Sequence, residues 1–403
     1  MANTRHLFCP LFILTTAILM LGCSSKETQK KDTLFLNPTN ATPSILLSEM
    51  VDSMEYIKLE TSEESLMSRV GEIIIKNKYI YVRDYDQQII FLFDKKGKYI
   101  TKLDKKGEGP EEYSHLDKFR VDDKEEFIEI LDFRGSKSRL LRFSNISFNL
   151  QEVNRFSVPT SNSWQKEKNS NTFYFSTQQI DNTINNEESN ADIIVIKDFT
   201  NEVALFKKKI ITNGSNFSPN TESLTTNEKG EIFASIMYSN TFFQLLNNRA
   251  HPILTVDFGK YQLDSSIRFK STEEQMRYLN NTEDIATFPV LNINTSKIQA
   301  FSYYFKENGA NKTHHYLNFS NNAIFHTRDI VNDLTNYPEK IYLSSYFWGI
   351  NHEVLHGNYL VDIVLPAYTN EGKTIEINGV GPVEPEDNPI ILLMKLKEEY
   401  TNN

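Results

Sequence analysis

A chain of 403 residues, 39% hydrophobic and 12% aromatic with 27 Phe and 19 Tyr, has the material for a large core. Its net charge of −10, and the lack of a basic cluster interleaved with aromatics, argue against nucleic acid as a partner. Two cysteines in the whole sequence, Cys9 and Cys23, exclude a disulfide framework.

Residues 1–22 have the layout of a signal peptide: Arg5 and His6, then an apolar run from Leu7 to Leu21, then a small residue before the cut. The run is too short and too early for a spanning helix of the mature protein. Its ending, Met20-Leu21-Gly22-Cys23, resembles the bacterial lipobox, in which the cysteine becomes the first mature residue and carries the lipid. Cys23 is therefore the expected lipidation site, and the expected location is the outer membrane, facing the periplasm or the cell surface. Cleavage removes Arg5 and no acid, leaving −11. Residues 23–43 are polar without a sustained period and read as a tether. Ser44 to Met50 suggests a helical turn or two capped by Ser44.

From residue 44 to 397 the pattern is all-β. Glu55 to Glu60 alternates like a strand yet precedes the first full repeat, so it is expected to pair with the end of the chain. A unit of about forty residues then occurs twice. The first copy runs through Ile73 to Ile75, Tyr79 to Asp84, Ile89 to Asp94 and Tyr99 to Leu103; the second through Phe119 to Asp122, Phe127 to Asp132 and Arg139 to Phe143. Gly107-Glu108-Gly109-Pro110-Glu111-Glu112-Tyr113 separates them. Short Ile, Val, Tyr and Phe runs between Asp, Asn, Gly and Lys describe an antiparallel meander. Four strands at this period predict a β-propeller blade, whereas a β-sandwich has no need of the repeated phrase.

In such a meander the crossover between blades and the turn between second and third strands emerge at the same end. That predicts one loop face carrying Arg83, Asp84, Tyr85, Asp86, Glu111, Glu112, Tyr113, Phe133 and Arg134, of which Arg83, Tyr85, Glu111, Glu112, Tyr113, Phe133 and Arg134 are the candidate ligand-binding residues. Asp84, Asp94, Asp104, Asp122 and Asp132 end strands and are expected to bond turn amides.

Blade three shows Phe173 to Phe175 and Asp192 to Ile196, separated by a loop from Gln178 to Asn190 that reads as mobile. Blade four shows Glu231 to Ala234, Thr241 to Leu246 and Ile253 to Phe258. Ser271-Thr272-Glu273-Glu274 is a capping box opening a helix, a helical insertion at about 265–285 rather than a second domain. Blade five uses Ile298 to Phe305, His314 to Phe319 and Ala323 to His326. Blade six uses Ile341 to Trp348, Tyr359 to Val364 and Ile390 to Lys395, with Glu55 to Leu59 as its fourth strand, so that both ends of the chain close a ring. Residues 398–403 are left as a tail.

The phrases Tyr79-Ile80-Tyr81-Val82-x-Asp84, Phe91-x-Phe93-Asp94-x-x-Gly97-Lys98-Tyr99-Ile100 and Gly107-x-Gly109-Pro110-x-Glu112-Tyr113, with the ending Asn388-Pro389-Ile390-Ile391, resemble the six-bladed β-propeller lipoproteins of Bacteroidota, relatives of the NHL-repeat propellers. The resemblance covers about residues 45 to 397. It implies a six-bladed ring of four-stranded antiparallel blades on a lipid anchor.

His352-Glu353-Val354-Leu355-His356 matches H-E-x-x-H, a zinc-peptidase spacing that works when a helix sets both imidazoles on one side. Gly349 and Asn351 before it and Gly357-Asn358 after it leave no room for that helix, so His352, Glu353 and His356 are discounted as metal ligands. His314 and His315, adjacent on a strand, point to opposite sides. No phosphate-binding glycine loop appears, and no cofactor is expected. The function expected is a non-catalytic binding or scaffold module for an envelope protein, peptide or glycan. The alternative is an envelope enzyme, a glycan lyase or hydrolase propeller or the zinc peptidase just discounted.

Overall fold

Asp84, Asp132 and their neighbours end strands that are buried on both faces, because each lies in the middle of a sheet pressed between two others. In the computed structural model, which describes residues 32–132, 138–157, 159, 161, 163–207, 223–344, 346–347 and 350–401, these sheets form a six-bladed β-propeller. Blade one is Val70–Ile75, Tyr79–Asp84, Ile89–Asp94 and Tyr99–Leu103, all antiparallel neighbours. Blade two is Leu116–Val121, Phe127–Asp132, Arg139–Ser144 and Leu150–Arg155. Both copies of the repeat are therefore blades, as their pattern predicts.

Blade three is Ser163–Lys166, Thr172–Ser176, Ile193–Lys197 and Asn201–Leu205. Blade four is Leu224–Thr226, Ile232–Ser235, Thr241–Leu246 and Arg249–Asp257. Blade five is Ile285–Asn294, Ile298–Glu307, Ala310–Phe319 and Ile324–Val331. Blade six is Leu355–His356, Tyr359–Val364, Ile390–Leu396 and, from the other end of the chain, Val51–Lys58. The closing pair is in the expected place, with Glu55 opposite Leu393 and Ile57 opposite Ile391.

Each pair of neighbouring blades buries its own apolar seam. Ile80, Val82, Phe91 and Phe93 of blade one meet Val361, Ile363 and Ile391 of blade six. The alternate residues Tyr81, Ile90 and Leu92 meet Phe119, Ile128 and Leu141 of blade two. Further seams follow between blades two and three around Trp164 and Phe175, three and four around Tyr174 and Leu245, four and five around Phe242 and Phe301, and five and six around Leu317 and Leu392. The period-two alternation thus serves two seams at once, which is why the middle strands read as unbroken apolar runs.

Several sequence expectations are corrected. Residues 32–43 of the expected tether are structured: Asp32–Phe35 adds to the outer edge of blade four, parallel to Leu254–Asp257. Thr42–Leu46 adds likewise to blade five, parallel to Thr327–Val331. The helix expected at Ser44 to Met50 is instead the end of that strand and one 3-10 turn, Leu47–Glu49. These edge strands are held by backbone pairing and bury few side chains, chiefly Ile45, so no apolar period marks them.

Of the strand expected from Ile341 to Trp348, residues 345 and 348 lie outside the described residues, and the described part does not belong to blade six. Lys340–Ile341 pairs with Ile330 and Val331 of blade five, and Tyr346–Phe347 pairs with Ile350–His352, which runs parallel to Glu72 and Ile73 on the inner edge of blade one. The loop from Gln178 to Asn190 holds a hairpin, Asn182–Ile184 with Glu187–Ser189, anchored by buried Ile184. Ser271 and Glu274 do form a reciprocal capping box on the helix Thr272–Asn281. The expected tail begins with a helical turn, Glu398–Thr401, whose Tyr400 ring packs 4.4 Å from Phe319. Residues 1–31, including Cys9 and Cys23, lie outside the described residues.

Candidate binding face at blades one and two

The crossovers are held by one device used twice. Asp84 accepts the amides of Ser68 and Arg69 from the incoming crossover and that of Gln87 from its own turn. Asp132 accepts Ser114 N at 3.0 Å and His115 N at 3.1 Å, and its second oxygen takes the Arg139 Nε at 2.8 Å. Both carboxylates are fully buried, so the amides they satisfy are fixed where the chain passes from one blade to the next. Asp94 and Asp122 cap their turns in the same manner, as the strand-ending positions predict.

The Gly-x-Gly-Pro-x-Glu-Tyr phrase is a part of this scaffold. Glu112 folds back to accept the Gly109 amide at 2.8 Å, and a Cβ on Gly107 would stand 1.9 Å from its Oε2. Tyr113 is fully buried; its hydroxyl donates to the Gln88 carbonyl at 2.7 Å and accepts from Lys105 N at 3.2 Å. Burial pushes that phenol above its usual range. Arg139 donates to the carbonyls of Glu112 and Pro110. Glu112 and Tyr113 thus shape the crossover. Glu111 is exposed beside them. Phe133 and Arg134 lie outside the described residues.

What this scaffold presents is Tyr85, 39% exposed at the tip of the turn between the second and third strands of blade one. Its amide donates to the Arg69 carbonyl at 2.7 Å, and the Arg69 guanidinium lies 4.1 Å from the ring centroid. Arg69 also pairs with Asp86 at 2.8 Å. The Arg83 guanidinium lies 5.5 Å from the same ring but is buried, 3.7 Å from Glu72 Oε2 and 3.4 Å from the Leu116 carbonyl of blade two. It occupies the space above Gly71, where a Cβ would come within 2.6 Å of Nη2. Arg83 and Tyr85 are therefore together as expected, with Arg83 as the support and Tyr85 as the surface. Arg69 was not singled out by the sequence; nothing in its neighbourhood marks it before the turn is folded.

The other exposed aromatics share this side of the connectivity. Of the five exposed aromatics among the described residues, Tyr85, Phe269, Tyr342 and Tyr368 lie in blade crossovers or in second-to-third-strand connections. Only Phe35 lies elsewhere, on the outer edge of blade four. Tyr and Arg surfaces of this kind supply stacking area and hydrogen bonds at low entropic cost.

The H-E-x-x-H residues do not form a helical pair. His352 ends one strand and His356 belongs to the next. His352 Nδ1 meets the Glu353 carbonyl at 2.9 Å, and His356 Nδ1 meets the Glu353 carboxylate at 3.0 Å. Burial holds His352 neutral, lowering it to about 4. His314 and His315 point to opposite sides of blade five; His314 packs on Tyr303 and Phe305, and burial lowers both imidazoles to about 4.

The model of a family described as "Domain of unknown function (DUF4934)" matches residues 33–395. Among solved structures, a candidate exported protein of Bacteroides fragilis is similar with a TM-score of 0.63 and 16% identity, over 91% of this chain and 99% of that one. A member of the DUF4221 family from Bacteroides vulgatus is similar with a TM-score of 0.51 and 10% identity, over 86% of this chain and 97% of that one. At these identities the likeness is one of fold. No curated protein matches the chain. Among the described residues no helix is long and apolar enough to cross a membrane.

Proposed function

Because the chain belongs to the DUF4934 family, whose description names no reaction, we propose from its own residues that it is a non-catalytic binding module of the cell envelope, tethered by lipid at Cys23. Its ligand is a peptide, envelope protein or glycan met by the crossover face at blades one and two. The observation that carries this reading is the placement of Tyr85. A rigid, carboxylate-anchored turn holds its ring partly in solvent against two guanidinium groups, with Asp86 beside it. Such a site offers stacking and polar contacts on a surface that needs no rearrangement to bind. The Met20-Leu21-Gly22-Cys23 ending supports the anchor.

The test is capture of partner from intact cells by the lipidated protein, with the double variant Arg69→Ala/Tyr85→Ala against Ile100→Ala on the outer strand of blade one. The reading expects the double variant to lose the partner and Ile100→Ala to keep it. Turnover of any envelope glycan or peptide by the purified protein would replace the binding reading with the enzymatic one. Cys23→Ala is expected to abolish labelling by fatty acid and sedimentation with membranes.

A further inference from the structure

The stretch Thr33 to Ser48 contains no Asp, Glu, Lys or Arg, in a chain that is 24% charged, where about four would be expected in sixteen residues. It is also not interior. Its two strands run along the outer edges of blades four and five, and Thr33, Phe35, Asn37, Thr39, Asn40, Thr42, Pro43, Ser44 and Leu46 are exposed. Phe35 is 77% and Leu46 46% free. An uncharged, partly apolar rim on a protein of net charge −10 is a local exception to how the molecule keeps its surface in water.

The place where the chain enters this rim says what covers it. Nine peptide steps separate Cys23 from Asp32, the first residue of the edge strand. At ~3.5 Å for each step they span at most about 30 Å. A lipid on Cys23 therefore keeps the edge of blade four within that distance of the bilayer, whatever path the connecting residues take. We propose that the rim formed by Asp32–Phe35 and Thr42–Leu46 is a membrane-facing surface, and that the propeller stands on edge, blades four and five toward the lipid, with Phe35 at the interface. This rests on the lipid anchor of the preceding section.

From Thr33 to Ser48 the added edge carries no acid group of its own, Asp32 standing only at its start, so anionic headgroups repel it less than they would the charged rest of this surface, and an aromatic ring is well placed in the interfacial region. Blade one lies across the ring from blade four, since the apolar seams run in order from blade six to one, one to two, two to three and three to four. An edge-on stance would thus carry Tyr85 and its face to the side away from the anchor, open to partners.

The test uses the protein extracted with its lipid and reconstituted in vesicles of phosphatidylethanolamine and phosphatidylglycerol. Beyond the leader the only native cysteine is Cys23, which the lipid blocks, so a cysteine introduced elsewhere takes a fluorophore alone. The label goes at Ser44→Cys on the rim, or at Ile100→Cys on the outer strand of blade one, which is 40% exposed. Nitroxide-bearing lipid is the quencher. The expected result is blue-shifted emission and several-fold stronger quenching at 44 than at 100. Phe35→Asp in the Ser44→Cys background should bring the quenching down to the level at 100 while flotation persists. Equal quenching at both positions, or shielding of position 44 by a second copy of the chain with no quenching, overturns the membrane-facing rim and leaves the anchor standing. Failure of the protein to float at all overturns both.

Discussion

Lowering the pH from 7.5 to 5 in the wild type and in His352→Phe isolates the electrostatic state of one buried imidazole. In the folded chain His352 is held at about 4 by burial, against 6.5 for the free side chain. A base whose folded value is depressed contributes stability that is complete above the unfolded value and is lost as pH falls toward the folded one. At pH 5 the unfolded imidazole is charged and the folded one is not, a gap of about 1.5 pH units that at ~1.4 kcal/mol per unit costs about 2 kcal/mol. The assay is urea unfolding at the two pH values, each protein compared with itself so that every other titrating group cancels. The variant should lose about 2 kcal/mol less than the wild type over that interval. An equal loss in both would mean that His352 is not buried and neutral, and would reopen the H-E-x-x-H segment as a site accessible to solvent and metal.

Asp362, fully buried and raised by desolvation to about 7, works in the opposite sense: its contribution is present below 3.8 and is lost as pH rises through 7. Asp362→Asn should therefore flatten the stability profile between pH 5 and 8 by about 2.5 kcal/mol in denaturant titrations. Asp132→Ala should destabilise by about 3–5 kcal/mol, since it strands the buried Arg139 and frees two crossover amides; a change below 1 kcal/mol in the same titration would contradict that assignment. Gly71→Ala should cost about 1–3 kcal/mol because Arg83 must leave its place over the backbone, and calorimetry would register the lowered midpoint. Tyr85→Ala, at the surface, should change stability by no more than about 0.5 kcal/mol while weakening ligand capture.

Blades one and two were legible because their middle strands serve two seams and so carry unbroken apolar runs such as Ile89 to Phe93. Glu55 to Leu59 was legible as a closing strand for a related reason: it alternates, yet it stands one strand ahead of the first blade. The outer rim was not, because Asp32–Phe35 and Thr42–Leu46 are held by backbone pairing to a neighbour more than two hundred residues away. The two-residue first strand of blade six was hidden for want of length, and the apolar residues from Ile341 onward took its place in the reading.

At the candidate site, the connectivity of a meander was enough to bring Arg83, Tyr85 and the Glu111 to Tyr113 crossover to one end of the sheets. It could not say which of them face solvent. Glu112 and Tyr113 are consumed by the turn they build, and Arg83 sinks into the space that Gly71 leaves open. Arg69 precedes the first strand of its blade and becomes part of the site through contacts of the folded turn: its carbonyl accepts the Tyr85 amide, and its guanidinium meets the Tyr85 ring and Asp86. A signal of that kind is a property of the folded turn, not of local composition.

A photoreactive phenylalanine placed at position 85, and separately at position 100, in cells that make the protein tests the binding face most directly. Irradiation should give a discrete adduct from position 85 and none from position 100. No adduct at 85, or the same adducts from both positions, would contradict the assignment of the crossover face as the surface where this propeller meets its partner.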